Sequence, residues 1–289
     1  MCYPPGSNYK ELCVLFLQYI VPQHLLSRLM GALANCSCKK LKNWAIGRFI
    51  KAYKVDMSLA IKEDYRQYPT FNDFFIRHLK PSARPIAAGD DILISPVDGS
   101  VSELGKIHEG QLMQAKGTYF GLGALLAGQR DLVAAYQGGL FMTAYLSPKD
   151  YHRIHMPCDA RLMKMVYVPG KLFSVNQQAV ASIEGLFARN ERVICHFETR
   201  TGPLALILVG AMIVGSIAVN WHGVVNAPRG KTVTVWEYHD QQIAFKKGDE
   251  MGYFKLGSTV ITLTSQKAIK WVETLKADVP LKMGELVAR

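Results

Sequence analysis

The stretch Lys255-Leu256-Gly257-Ser258-Thr259-Val260-Ile261-Thr262-Leu263-Thr264 decides how this chain is read. From Thr259 to Leu263 it is dense in β-branched side chains, whose restricted χ1 angles suit a pleated surface better than a helix. A strand is expected over 258–264, entered through a glycine. Working outward, similar short runs lie at 92–94, 140–146, 162–168, 204–219 and 232–238, punctuated by glycine and proline. Few helical stretches interrupt them, the main one being 120–137. The expected class is α+β: a helical N-terminal region, then an antiparallel, barrel-like, β-rich domain.

The first 62 residues read differently. Leu25, Leu26, Leu29, Met30 and Leu33 share one helical face, and Ile46, Phe49, Ile50, Tyr53 and Met57 repeat the spacing over 44–57. Between and opposite them sit Lys39, Lys40, Lys42, Arg48, Lys51 and Lys54. The chain carries a net charge of +11, of which the first sixty residues hold +6. A basic amphipathic region with Trp44 near the start of its second helix suits an anionic membrane surface. The apolar run Leu12 to Val21 has about half the roughly 20 residues that a spanning helix needs. A secretory signal is disfavoured by Glu11 beside that run and by the distance to Ala32-Leu33-Ala34. The six cysteines form no regular framework and read as reduced thiols. Nucleic acid is the other anionic partner that the charge admits, but it leaves the motifs below unexplained.

Three places carry residue types able to do chemistry. Asp98 sits in the turn Ser95-Pro96-Val97-Asp98-Gly99. His152 and His155 sit in Tyr151-His152-Arg153-Ile154-His155-Met156-Pro157. Ser258 follows Gly257 at the start of the decisive strand. His152, His155 and Cys158 are evenly spaced, but Arg153 would set a fixed cation beside any metal ion, so no metal is expected. Asp, His and Ser are also the parts of a hydrolytic triad, and a serine hydrolase using Asp98, His155 and Ser258 on a lipid ester is the alternative reading. The flanks of Ser258 lack the Gly-x-Ser-x-Gly elbow of an α/β-hydrolase.

Taken with Tyr68 to Phe75, Gln114-Ala115-Lys116-Gly117, Val168 to Asn176, Leu186 to Arg192 and Gly248 to Thr259, these motifs make the chain resemble the phosphatidylserine decarboxylases, pyruvoyl-dependent enzymes, with the bacterial short form nearest. The resemblance covers nearly the whole chain. It implies that Ser258 Oγ attacks the Gly257 carbonyl and turns the amide into an ester. Elimination and hydrolysis then separate a β chain, 1–257, from an α chain, 258–289, headed by a pyruvoyl group made from Ser258. His155 would take the serine proton, with Asp98 fixing the imidazole tautomer and stabilising its charged form. The pyruvoyl group would form a Schiff base with phosphatidylserine, and His152 would protonate the carbon that has lost carbon dioxide, leaving phosphatidylethanolamine. The resemblance further implies a proenzyme with residues 1–62 as the membrane-associating region and 63–289 as the catalytic domain. It implies peripheral attachment to the cytoplasmic face of the cell membrane, and it leaves a homodimer open.

Overall fold

The computed structural model describes residues 23–115, 117–211, 216–225, 231–255, 258–265 and 269–289. The apolar run 12–21 and Gly257 lie outside the described residues, as does Lys116.

Two helices open the described chain, α1 (Gln23–Ala34) and α2 (Lys39–Tyr53), followed by the short α3 (Phe71–Phe75). α2 starts at Lys39, earlier than the apolar spacing suggests, and stops where Lys54 turns left-handed at φ 53°. Its inner face packs Ile46, Phe49 and Ile50 against Val55, Tyr68 and Phe74, a small core of its own. Lys42 belongs to that inner side, not to the basic face: its ammonium donates to the Arg66 carbonyl at 3.0 Å. α3 begins at Thr70, whose hydroxyl oxygen accepts the Asp73 amide and donates to the Asp73 carboxylate, a reciprocal cap.

The remainder is mostly strand. In chain order these are β1 (Leu93–Ile94), β2 (Gly99–Lys106), β3 (Gln111–Ala115), β4 (Thr118–Gly121), β5 (Leu140–Leu146), β6 (Arg153–His155), β7 (Ala160–Val168), β8 (Arg192–Thr199) and β9 (Gly202–Gly210). Then come β10 (Ser216–Val219), β11 (Gly223–Val224), β12 (Thr234–Glu237), β13 (Ala244–Phe245), β14 (Glu250–Lys255), β15 (Ser258–Thr264), β16 (Pro280–Leu281) and β17 (Leu286–Ala288). A nine-stranded sheet runs β12-β7-β8-β9-β15-β5-β2-β16, with β13 also on β7, and a four-stranded sheet runs β11-β10-β14-β6. Every strand pair is antiparallel, as expected.

The barrel-like expectation needs correction. The large sheet is open, with β12 and β13 at one edge and β16 at the other, and no pairing closes it among the described residues. A second sheet covers one face instead. Leu204, Leu206 and Leu208 of β9 face Ile217, Met251 and Phe254 of the small sheet, while Ala205, Ile207 and Val209 face Leu122, Tyr136 and Phe187 in the helices and loops behind. With both faces buried, β9 reads as one unbroken apolar run and loses the alternation that marks a half-exposed strand. The run 204–219 is in fact two strands, and the expected helix 120–137 is two short ones, Leu122–Leu125 and Arg130–Tyr136.

The two sheets share one feature that positions everything below. Neighbours β9-β15-β5 in the large sheet connect directly to neighbours β10-β14-β6 in the small one. Three adjacent strands of the large sheet thus meet their small-sheet continuations at one level, beside Leu146, Gly210 and Ser258. Ser258 opens β15 at that break, opposite Leu146, the last residue of β5, and Gly210, the last of β9.

Candidate active site

Ser258 is fully buried, and its Oγ meets no hydrogen-bond partner among the described residues. By strand alternation its side chain lies on the face of Val260, which packs between the sheets. Ser258 itself is thus held where a central strand of the large sheet begins, with two residues separating it from the end of β14 in the small sheet. β15 is paired on both sides over its whole length, and β16 and β17 are paired with β2 and β1. A piece beginning at Ser258 would therefore stay in place without its covalent link.

His152 lies in the neighbouring link, from β5 to β6. Its carbonyl accepts the Phe254 amide at 3.1 Å, which sets it level with the end of β14. Its Nδ1–H donates to the Asp150 carbonyl at 2.9 Å, so Nε2 carries the lone pair, and that atom is buried with no partner among the described residues. The Phe75 ring packs 4.1 Å from the imidazole. Burial pushes its pKa down to about 3, and the nearby Arg77 cation acts in the same direction.

His155 sits three residues farther along β6, opposite Glu250. Its Nδ1–H donates to the Gly248 carbonyl at 2.8 Å, while Nε2 accepts the Tyr151 hydroxyl at 3.1 Å. Burial lowers its pKa, opposed by the Gly248 carbonyl and by the carboxylates of Glu250 and Asp98. The Gly248 carbonyl holds the tautomer that the sequence reading assigned to Asp98.

Asp98 is instead gripped by Arg84, through Nε at 2.7 Å and through Nη2, and it accepts the Met283 amide at 2.9 Å. Its turn does reach the histidine by backbone: the Pro96 carbonyl accepts the His155 amide at 2.9 Å. Gly99 makes the turn feasible, since a Cβ there would lie 2.2 Å from the Tyr145 carbonyl oxygen at φ +154°. Asp98 precedes β2, two strands from Ser258, or about 10 Å at the usual strand spacing. No hydrogen bond joins Ser258 to either histidine in the uncut chain, among the described residues. Sequence reasoning missed Arg84, Tyr151 and Arg77; the two arginines are ordinary surface residues until their burial is known. Cys158, the third member of the evenly spaced trio, lines an open cavity of about 320 Å³ with Asp90, Asp159, Arg200 and Lys247, a space that includes none of the site residues.

A family model described as phosphatidylserine decarboxylase matches residues 71–289, and a second, described as PSD, matches residues 14–54. Phosphatidylserine decarboxylase proenzymes of Photobacterium profundum and Acidovorax ebreus are 52% and 49% identical to the chain, covering 93% and 94% of it and 94% and 95% of their own lengths. That of Bordetella avium is 50% identical over 97% of the chain and 96% of its own length. The chain belongs to the phosphatidylserine decarboxylase family.

Members are pyruvoyl-dependent carboxy-lyases made as proenzymes. The residues here fit the pyruvoyl group of the decarboxylase family: Ser258 is a buried serine at the start of a strand that tertiary pairing retains, and its hydroxyl has no partner among the described residues. Nothing in the comparisons favours a hydrolase.

Proposed function

We propose that the chain cuts itself between Gly257 and Ser258 and then decarboxylates phosphatidylserine to phosphatidylethanolamine. The observation that carries this reading is that Ser258 Oγ and His152 Nε2 are buried, have no partner among the described residues and lie beside one sheet break. Ser258 Oγ is the nucleophile toward the Gly257 carbonyl. His155 Nε2 accepts its proton once the Tyr151 hydroxyl turns away, with Gly248 holding the tautomer and the Arg84-anchored Asp98 favouring the charged ring. The pyruvoyl group left at residue 258 supplies the electron-accepting carbonyl that no ordinary side chain offers. His152 Nε2 takes a proton from the incoming ammonium group and returns it to the carbon that has lost carbon dioxide. Metal plays no part in this scheme.

A denaturing gel and the intact mass of the C-terminal piece test the reading. Two fragments, 1–257 and 258–289, are expected, the smaller lacking a free N-terminal amine and reacting with hydrazines. One uncut polypeptide that is fully active and indifferent to hydrazine would refute it.

Residues 1–62 are proposed to bring the enzyme to the cytoplasmic face of an anionic membrane as a peripheral protein. α1 turns its apolar side outward: Leu25, Leu29 and Leu33 are 54%, 57% and 60% exposed, whereas Gln23, Ser27 and Ala34 face inward. Such a face is unusual on a helix bathed only in water. Trp44 is 65% exposed on a helix that also exposes Lys39, Lys40, Arg48 and Lys51, with exposed Lys54 just after it. α1 is docked at both ends: Gln23 accepts the Leu172 amide at 2.7 Å, and Asn35, just after the helix, accepts the Asn72 amide group at 2.7 Å. No helix among the described residues is long and apolar enough to cross a membrane. In flotation with anionic liposomes, Leu29→Glu combined with Trp44→Glu is expected to weaken binding at least about tenfold. Unchanged flotation would reject this surface.

A further inference from the structure

Arg77 follows α3 and is only 4% exposed. Its Nη2 donates to the Lys149 carbonyl at 2.9 Å, and its guanidinium lies 5.6 Å from the centre of the Phe74 ring. Nε and Nη1 are buried and meet no acceptor, and no carboxylate stands within ion-pair distance of them among the described residues. The neighbouring buried arginines are neutralised: Arg84 by Asp98 and Arg153 by Glu250. The carboxylates of Asp98 and Asp150 act on Arg77 only from beyond ion-pair distance. A guanidinium stays charged at physiological pH, so burial with no carboxylate in contact is costly. An anion that arrives later would relieve that cost.

The location says which anion. Arg77 shares a corner of the chain with Phe75, whose ring covers His152, and with Ile76, whose carbonyl accepts Arg153 Nε at 2.7 Å. Its bond to Lys149 ties it to the link that carries His152. We propose that Arg77 binds the phosphodiester group of the lipid substrate, an inference that rests on the decarboxylase reading above. The substrate's other anion is unsuited. A guanidinium on the carboxylate would stabilise the very charge that leaves as carbon dioxide and would raise the barrier. The phosphodiester keeps its charge from substrate to product, so holding it strengthens binding uniformly and leaves the chemical step alone.

The test uses self-cleaved enzyme with phosphatidylserine in mixed micelles, glycerophosphoserine as soluble competitor, and inorganic phosphate as a second competitor. Arg77→Gln is expected to cleave itself normally, to keep kcat within about threefold and to raise KM roughly 10- to 100-fold. The inhibition constant of glycerophosphoserine should rise in parallel, and Arg77→Lys should fall between. Inorganic phosphate should compete with the lipid in the parent enzyme and lose that effect in Arg77→Gln. A fall in kcat at unchanged KM would overturn the proposal by making Arg77 a positioning residue for His152. Uncut chains for both variants would overturn it by making Arg77 a scaffold, and phosphate inhibition not competitive with the lipid would make it an effector site. A parent enzyme that is cut yet makes no phosphatidylethanolamine would instead sink the underlying decarboxylase reading.

Discussion

Replacing Ser258 with alanine is expected to leave a single unbroken polypeptide with no hydrazine-reactive carbonyl and no decarboxylation. One oxygen atom is lost, yet that oxygen is the group proposed to attack for cleavage, and its departure with the 1–257 carboxylate in the elimination is what exposes residue 258 to the hydrolysis that makes the carbonyl. The loss should reach the uncatalysed background, at least about 10⁶-fold. The fold should survive, because the hydroxyl makes no hydrogen bond among the described residues and removing an unpaired buried polar group carries no penalty. Near-parent thermal stability combined with absent cleavage is therefore the signature. A cut Ser258→Ala chain would move the reacting bond elsewhere. His155→Ala, assayed on the same gel, should accumulate uncut chain, since it removes the group proposed to take the serine proton.

The second large effect is expected at His152. His152→Gln should still cut itself and still bind hydrazine, but its turnover should drop by about 10² to 10⁴, the usual worth of a positioned proton donor or acceptor. Separating the two steps makes the assay decisive, with the gel reporting maturation and phosphatidylethanolamine release reporting catalysis. Full turnover in a His152→Gln enzyme would remove His152 from the mechanism. Failure to cut would assign it to maturation, a role its position beside the sheet break also permits. Glutamine keeps the bond from the side chain to the Asp150 carbonyl within reach while lacking a titratable nitrogen.

Much of the site was legible in the chain because its chemistry is carried by short contiguous motifs. The glycine-serine pair before a β-branched run, the two histidines three apart and the aspartate before Gly99 are visible as letters. The strands 140–146 and 258–264 appear with the bounds expected from composition. Strands β2, β8 and β14 were not anticipated: Gly99–Lys106 and Glu250–Lys255 mix glycine with charged residues, and tertiary pairing overrode weak local preference. The helix faces show the same limit. Spacing identified the leucines of α1 as a stripe, but a stripe is equally consistent with burial, and only the docked position of Gln23 and Asn35 turns it outward.

What the sequence by itself determined was the antiparallel β class and the family, and it singled out the serine, histidines and aspartate to which the proposed chemistry is assigned, because each depends on residue identity and local spacing. What only the tertiary structure decided was how those residues are held. The sheet is open and backed by a second one, the Gly248 carbonyl rather than Asp98 accepts the His155 Nδ1–H, Arg84 neutralises Asp98, and Arg77 lies buried with no carboxylate in ion-pair contact among the described residues. These facts rest on contacts between segments up to 185 residues apart, such as the Met283 amide on Asp98. Burial and charge neutralisation are properties of the assembled surroundings, and no window of sequence contains them.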